Sequence, residues 1–172
     1  PGWYVLTVTA TNGCKAYDSV EVAHLPLPNV TISGSNSVCR GSELLLMASG
    51  AYSYNWNTGV MGPVLSVTPT QTTSYVVTGT SDRGCTATAT HIVSVKAVPV
   101  ANITGPNAIC QGSTAVFTAS GGTSYLWSTG ATTASVQLTN AQQYTVEVSN
   151  QYGCTATASK SLEVNVLPTV SI

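Results

Sequence analysis

The stretch Tyr144-Thr145-Val146-Glu147-Val148-Ser149 alternates apolar and polar side chains with a period of two. In a strand that period puts Tyr144, Val146 and Val148 on one face and Thr145, Glu147 and Ser149 on the other. A turn is expected at residues 150–153. Residues 154–166 then read as a long last strand, with Leu162, Val164 and Val166 on one face. Upstream, residues 101–104 and 108–110 form a split first strand. Residues 114–120 form a second, with Ala115, Phe117 and Ala119 on one face, residues 125–128 a third that carries Trp127, and residues 135–138 a fourth. Thr and Val dominate these segments, and both favour strands. Six or seven short strands in about 70 residues, with no segment of helical period, predict a β-sandwich.

The same pattern occurs twice. Displaced by 71 residues, Cys39, Gly41, Trp56 and Thr58-Gly59 fall on Cys110, Gly112, Trp127 and Thr129-Gly130, and Tyr4 and Cys14 fall on Tyr75 and Cys85. Beyond Gly59 the displacement becomes 69, so that Tyr75 maps to Tyr144 and Cys85 to Cys154, which places a two-residue deletion in a surface loop. The chain therefore parses into four pieces: residues 1–27 as the last hairpin of a truncated repeat, 28–98 and 99–167 as two complete repeats, and 168–172 as the start of another. The joints Leu25-Pro26-Leu27-Pro28, Ala97-Val98-Pro99 and Val166-Leu167-Pro168 are short, apolar and stiffened by proline. The expected architecture is all-β: tandem immunoglobulin-like sandwiches in a semi-rigid rod, cut from a longer protein. Trp56, Trp127, Tyr4, Tyr75 and Tyr144 recur at fixed spacing inside strands and are the expected core anchors.

Composition narrows the function. Lys and Arg number 5 and Asp and Glu 6 among 172 residues, a charged fraction of 6% against roughly 25% in an ordinary soluble domain. Ser and Thr together number 46. A net charge of −1 gives no footing for nucleic acid or an anionic membrane, and no apolar run is long enough to insert into a bilayer. The two histidines, His24 and His91, do not recur between repeats, since Lys160 stands where a second His91 would be. No cysteine pair, acidic loop or phosphate-binding glycine motif points to a metal or a cofactor. No catalytic, metal or cofactor-binding residue is expected, and the chain does not read as an enzyme.

The motif Val38-Cys39-Arg40-Gly41, Leu44-Leu45-Leu46-Met47-Ala48-Ser49, Tyr54-Asn55-Trp56-Asn57-Thr58-Gly59, Tyr75-Val76-Val77-Thr78 and Gly84-Cys85-Thr86-Ala87-Thr88 recurs. Its second copy is Ile109-Cys110-Gln111-Gly112, Phe117-Thr118-Ala119-Ser120, Tyr125-Leu126-Trp127-Ser128-Thr129-Gly130, Tyr144-Thr145-Val146 and Gly153-Cys154-Thr155-Ala156-Thr157. This resembles the immunoglobulin-like or PKD-like repeats of very large surface and secreted proteins of Bacteroidetes. The resemblance implies long adhesins and filament subunits, often exported by the type IX system and linked to gliding, surface attachment or prey capture. It implies an extracellular or bacterial cell-surface location, which regularly spaced cysteines also fit.

Five cysteines cannot all pair within the chain. One reading closes a disulfide inside each repeat, Cys39–Cys85 and Cys110–Cys154, and leaves Cys14 with a partner outside the fragment. The other follows from immunoglobulin topology. Cys39 and Cys110 precede the second strand, whereas Cys85 and Cys154 follow the last turn, so each pair lies at opposite ends of a sandwich, roughly 23 Å apart for a seven-residue strand. A disulfide needs Cα atoms within about 7 Å. Head-to-tail stacking instead brings Cys39 to Cys154 and assigns Cys14, Cys85 and Cys110 to other repeats.

The expected role is a structural stalk segment that projects a distal adhesive or assembly module, with neighbouring repeats of the same chain as its partners. Two alternatives stand beside it. The repeats could bind glycan or protein directly, with Tyr52, Tyr54 and Tyr125 as ligand contacts, although loop tyrosines, Tyr152 among them, more simply pack into the joints. Or they could assemble as copies of themselves into a fibre or hook.

Overall fold

The computed structural model describes residues 1–170, so the end of the short segment expected to open a further repeat lies outside the described residues. Every regular element among them is a β-strand. The chain begins with a hairpin of β1 (Gly2–Thr9) and β2 (Lys15–Val22). The middle repeat holds β3 (Thr31–Ser33), β4 (Ser37–Cys39), β5 (Leu44–Ser49), β6 (Ser53–Trp56), β7 (Val64–Val67), β8 (Thr73–Thr80) and β9 (Thr86–Lys96). The third repeat holds β10 (Asn102–Thr104), β11 (Ala108–Cys110), β12 (Ala115–Ser120), β13 (Ser124–Trp127), β14 (Ser135–Leu138), β15 (Gln142–Ser149) and β16 (Thr155–Asn165).

Each complete repeat is a three-stranded sheet facing a four-stranded one, ordered β3-β5-β7 and β4-β9-β8-β6, then β10-β12-β14 and β11-β16-β15-β13. This is an immunoglobulin-like sandwich whose first strand is split. Its first half pairs antiparallel in one sheet, and its second half crosses over to pair parallel with the last strand. Entry into the second strand's exit loop needs glycine. Gly50 and Gly121 have φ of +91° and +106°, and a Cβ there would stand 1.8 and 1.9 Å from the carbonyl oxygens of Asn29 and Val100. The two-residue deletion falls between β7 and β8 relative to β14 and β15, since β7 maps onto β14 by 71 residues and β8 onto β15 by 69.

The period-two faces meet in the core. In the third repeat Ala115, Phe117 and Ala119 of β12 face Tyr144, Val146 and Val148 of β15, with Trp127, Leu138 and Leu162 closing the cluster. Phe117 and Tyr144 meet edge to face with ring centroids 5.8 Å apart, a favoured aromatic geometry. The buried indoles find partners: Trp127 Nε1 donates to Thr133 O at 2.9 Å, and Trp56 Nε1 to Gly62 O at 3.0 Å. The Tyr144 hydroxyl donates to Asn140 O at 3.0 Å, the corner contact of an immunoglobulin strand. No buried side-chain polar atom among the described residues lacks a partner.

One expected core anchor departs from this arrangement. Tyr75 and Tyr144 are 5% and 2% exposed, but Tyr4 is 65% exposed. Its strand pairs with β2 in the same register as β15 with β16, Tyr4 opposite Val20 as Tyr144 is opposite Lys160. Among the described residues the two-stranded sheet has no further member, and the ring stands exposed.

Packing divides the chain into two compact units that do not coincide with the sequence repeats. One comprises Pro1–Asn36, Leu44–Val67 and Ser74–Val93; the other comprises Ser37–Glu43, Thr68–Thr73 and Ser94–Ile172. The second unit thus takes β4 and the end of β9 together with the whole third repeat.

Candidate functional site

Strand β4 ends on Cys39, and parallel pairing sets its place: Ser37, Val38 and Cys39 lie beside Ser94, Val95 and Lys96. Arg40 N then donates to Lys96 O at 2.8 Å. The cysteine is therefore carried to the far end of β9, where the Pro99 joint begins. Cys154 arrives from the other side, at the foot of the turn between β15 and β16. That turn is organised by Asn150, whose Oδ1 accepts from Tyr152 N at 2.9 Å and from Cys154 N at 3.1 Å. The two cysteines form a disulfide with Cα atoms 5.6 Å apart, across 115 positions of sequence. Both belong to the second compact unit.

Two further contacts share this joint. Asn150 Nδ2 donates to Ala97 O at 2.7 Å, and Lys96 Nζ lies 4.9 Å above the Tyr152 ring. A covalent bond from β4, and a hydrogen bond and a cation–π contact from the end of β9, therefore fasten these two paired strand ends to the β15–β16 turn. The pairing is between repeats, and the alternative Cys39–Cys85 and Cys110–Cys154 is not formed; Cys14, Cys85 and Cys110 carry free thiols. The reason is topological: the parallel half-strand places Cys39 at the end of the sandwich opposite its own last turn. Sequence reasoning missed Asn150 and Lys96. Their counterparts in the preceding joint are Ser81 and Leu25, so no repetition marks them.

The equivalent place in the first unit is open. A cleft of about 800 Å³ is lined by Leu25, Pro26, Leu27 and Pro28 on one side and by Tyr52 and Arg83 among others. The turn beside it has the same backbone bonds: Ser81 N donates to Cys85 O and Gly84 N to Ser81 O, as Asn150 N does to Cys154 O and Gly153 N to Asn150 O. Cys85 is half-buried and unpaired, while Cys154 is 1% exposed.

The loop tyrosines separate. Tyr54 and Tyr125, expected as ligand contacts, are half-buried. The Tyr54 hydroxyl donates to Ala51 O at 2.9 Å and accepts from Ala51 N at 2.8 Å, and that of Tyr125 donates to Gly122 O at 3.1 Å. Both are occupied in bracing their own loops. Tyr52 alone of the three is open, 80% exposed at the cleft. His91 Nε2 lies 3.2 Å from Ser35 O, and Lys160 in the matching position donates to Asn107 Oδ1 at 2.6 Å. Both ties hold the kink between the halves of the split strand. Among the described residues no three His, Cys, Asp or Glu side chains gather as a metal site.

No family description matches the chain, and no curated protein does. Solved structures do resemble it. One is a Ca2+-stabilised adhesin with which an Antarctic bacterium reaches out and binds ice, at 14% identity and a TM-score of 0.46, over 97% of this chain and 57% of that one. Another is the insect immune protein hemolin, at 14% identity and a TM-score of 0.44, over 95% of this chain and 56% of that one. A third is murine CEACAM1b, at 13% identity and a TM-score of 0.36, over 80% of this chain and all of that one. The chain thus spans a little over half the length of the first and second of these. At such identities and scores these are similarities and nothing more, and the reading of this chain rests on its own residues.

Proposed function

We propose that the chain is a load-bearing stalk segment of a large extracellular adhesin, of the kind found on Bacteroidetes cell surfaces, that holds a distal adhesive or assembly module away from the cell. The observation that carries this reading is the Cys39–Cys154 disulfide between consecutive repeats. Tension applied at the two ends reaches Cys39, crosses the sulfur bridge and leaves from Cys154. Strands β5 to β15 lie inside the closed loop and are spared the load. At about 3.5 Å per extended residue, the 115-residue span is some 400 Å of extension that the bridge withholds. A protein whose task is reach under tension gains from that; a catalyst does not. A disulfide of this kind fits an oxidising location outside the cytosol.

Direct recognition of a glycan or a protein by the loop tyrosines loses two of its three residues, because Tyr54 and Tyr125 spend their hydroxyls on their own loops. Tyr52, 80% exposed, is the most open of the three.

The test is single-molecule pulling from the two termini. The oxidised chain is expected to reach full extension about 400 Å shorter than the same chain after reduction, and the Cys39→Ser chain is expected to match the reduced one. Equal extension in all three cases rejects the load path. Binding of the folded chain to glycans, abolished by Tyr52→Ala, supports the recognition reading instead.

A further inference from the structure

The hairpin β1–β2 presents an unsatisfied apolar face. Tyr4, Leu6 and Val8 of β1 and Val20 and Val22 of β2 are all large and exposed. Their counterparts in the third repeat, 140 positions on in the same register, include Tyr144, Val146, Val148 and Leu162, all buried. There the face is covered by the strand bearing Phe117, and the edge of β16 is capped by β11 pairing in parallel. Among the described residues β1 and β2 have neither cover nor cap.

A second observation points the same way. Cys154 is bonded to a cysteine at the end of the parallel half-strand of the preceding repeat. Cys85 holds the matching position, half-buried and unpaired, on a turn with the same backbone bonds whose Ser81, Asp82 and Arg83 line the Leu25–Pro28 cleft. The residue that fills this role at the other joint belongs to β4, and β2 has no such strand beside it. The exposed face and the free thiol thus call for one and the same occupant.

We propose that the β1–β2 hairpin is the docking surface for a strand module with the chemistry of residues 28–72, whose parallel Val-Cys or Ile-Cys half-strand pairs with β2 and forms a disulfide with Cys85. Its sheet lays an apolar residue against Tyr4 and Leu6, as Phe117 lies against Tyr144. Two thiols lose their protons and two electrons to form the bond, with an extracellular disulfide exchange partner as the oxidant. The inference stands on repeat geometry and holds whether or not the chain bears load.

The experiment compares the 172-residue chain with one in which an extra copy of residues 28–72 is joined ahead of Gly2. Free thiols are expected to fall from the three now present to two, although a cysteine has been added. Trypsin is expected to release the added residues 28–40 cross-linked to the peptide Gly84–Lys96. Alkylation of Cys85 and amide exchange of β1 and β2 are each expected to slow by at least about tenfold. A second variant, the same extension with its added cysteine changed to Ser, keeps the slow exchange and leaves Cys85 reactive, which separates apolar docking from the covalent link. Alkylation of Cys85 at an unchanged rate in the Cys-bearing extension overturns the proposal, as does hairpin exchange that stays fast in both extensions. A 172-residue chain that is already dimeric, with a slowly exchanging hairpin, overturns it in favour of self-association.

Discussion

The hairpins β1–β2 and β15–β16 are built alike and end differently. Both pair eight residues in the same register and close on a turn whose glycine has φ near +80°. In one, Tyr144 is buried against Phe117 and its hydroxyl is bonded; in the other, Tyr4 stands open to water. Local sequence thus suffices to make the hairpin and its turn, while burial belongs to the five strands that close the sandwich. The same aromatic residue is a core anchor or a surface residue according to what lies across from it.

Replacing each tyrosine breaks this comparison most sharply. Tyr144→Ala is expected to cost about 3–5 kcal/mol, as loss of a buried aromatic does, and Tyr4→Ala to stay within about 0.5 kcal/mol. Denaturant-dependent amide exchange at Val146 and Val148 reads the first, and exchange at Val5 and Leu6 the second. Equal costs at the two sites show that the hairpin face is already covered in solution.

Much of this was legible in the residues. Alternation located the strands to within a residue or two, because a half-buried strand must alternate. Trp56 and Trp127 read as core because an indole recurring in a strand has nowhere else to go, and both are 2% exposed. Pairing of Cys39 with Cys154 could be argued from strand length and sandwich ends, but the choice between pairings needed the parallel half-strand to be seen. Tyr4 misled because its strand is a faithful copy, and a copy carries no sign of what lies across from it. Asn150 was legible only as a turn residue, since its bond to Ala97 O depends on the path of a joint 53 positions away. The packing division inside the middle repeat was invisible for the same reason: it follows contacts between segments, and the repeat pattern follows ancestry within them.

The two joints extend the comparison. The joint after β9 carries a disulfide, whereas Cys85, which follows the turn lining the Leu25–Pro28 cleft, is a free thiol. Cys39→Ser is therefore expected to lower the stability of the third repeat by about 2–5 kcal/mol, the usual range for a disulfide closing a long loop, measured by urea unfolding under non-reducing conditions. Cys85→Ser is expected to leave it unchanged. A Cys39→Ser chain as stable as the parent means the loop closed by the bridge is already ordered in the unfolded ensemble.

The smallest effect isolates the polar part of the joint. Asn150→Ser converts the third-repeat turn into the one the middle repeat uses, where Ser81 Oγ accepts from Cys85 N at 3.0 Å. The hydroxyl can take over the bond to Cys154 N, so the turn and the disulfide are kept. The 2.7 Å bond from Nδ2 to Ala97 O and the 2.9 Å bond from Tyr152 N to Oδ1 are lost, and both groups, on exposed residues, turn to water instead. The cost is then the net worth of two exposed hydrogen bonds, about 1–2 kcal/mol, and exchange near Ala97 and Val98 quickens while the β15–β16 ladder does not. A loss of several kcal/mol spread over that ladder would mean that Asn150 holds the turn rather than the joint, and the Ser81 turn would then need a different explanation for its own stability.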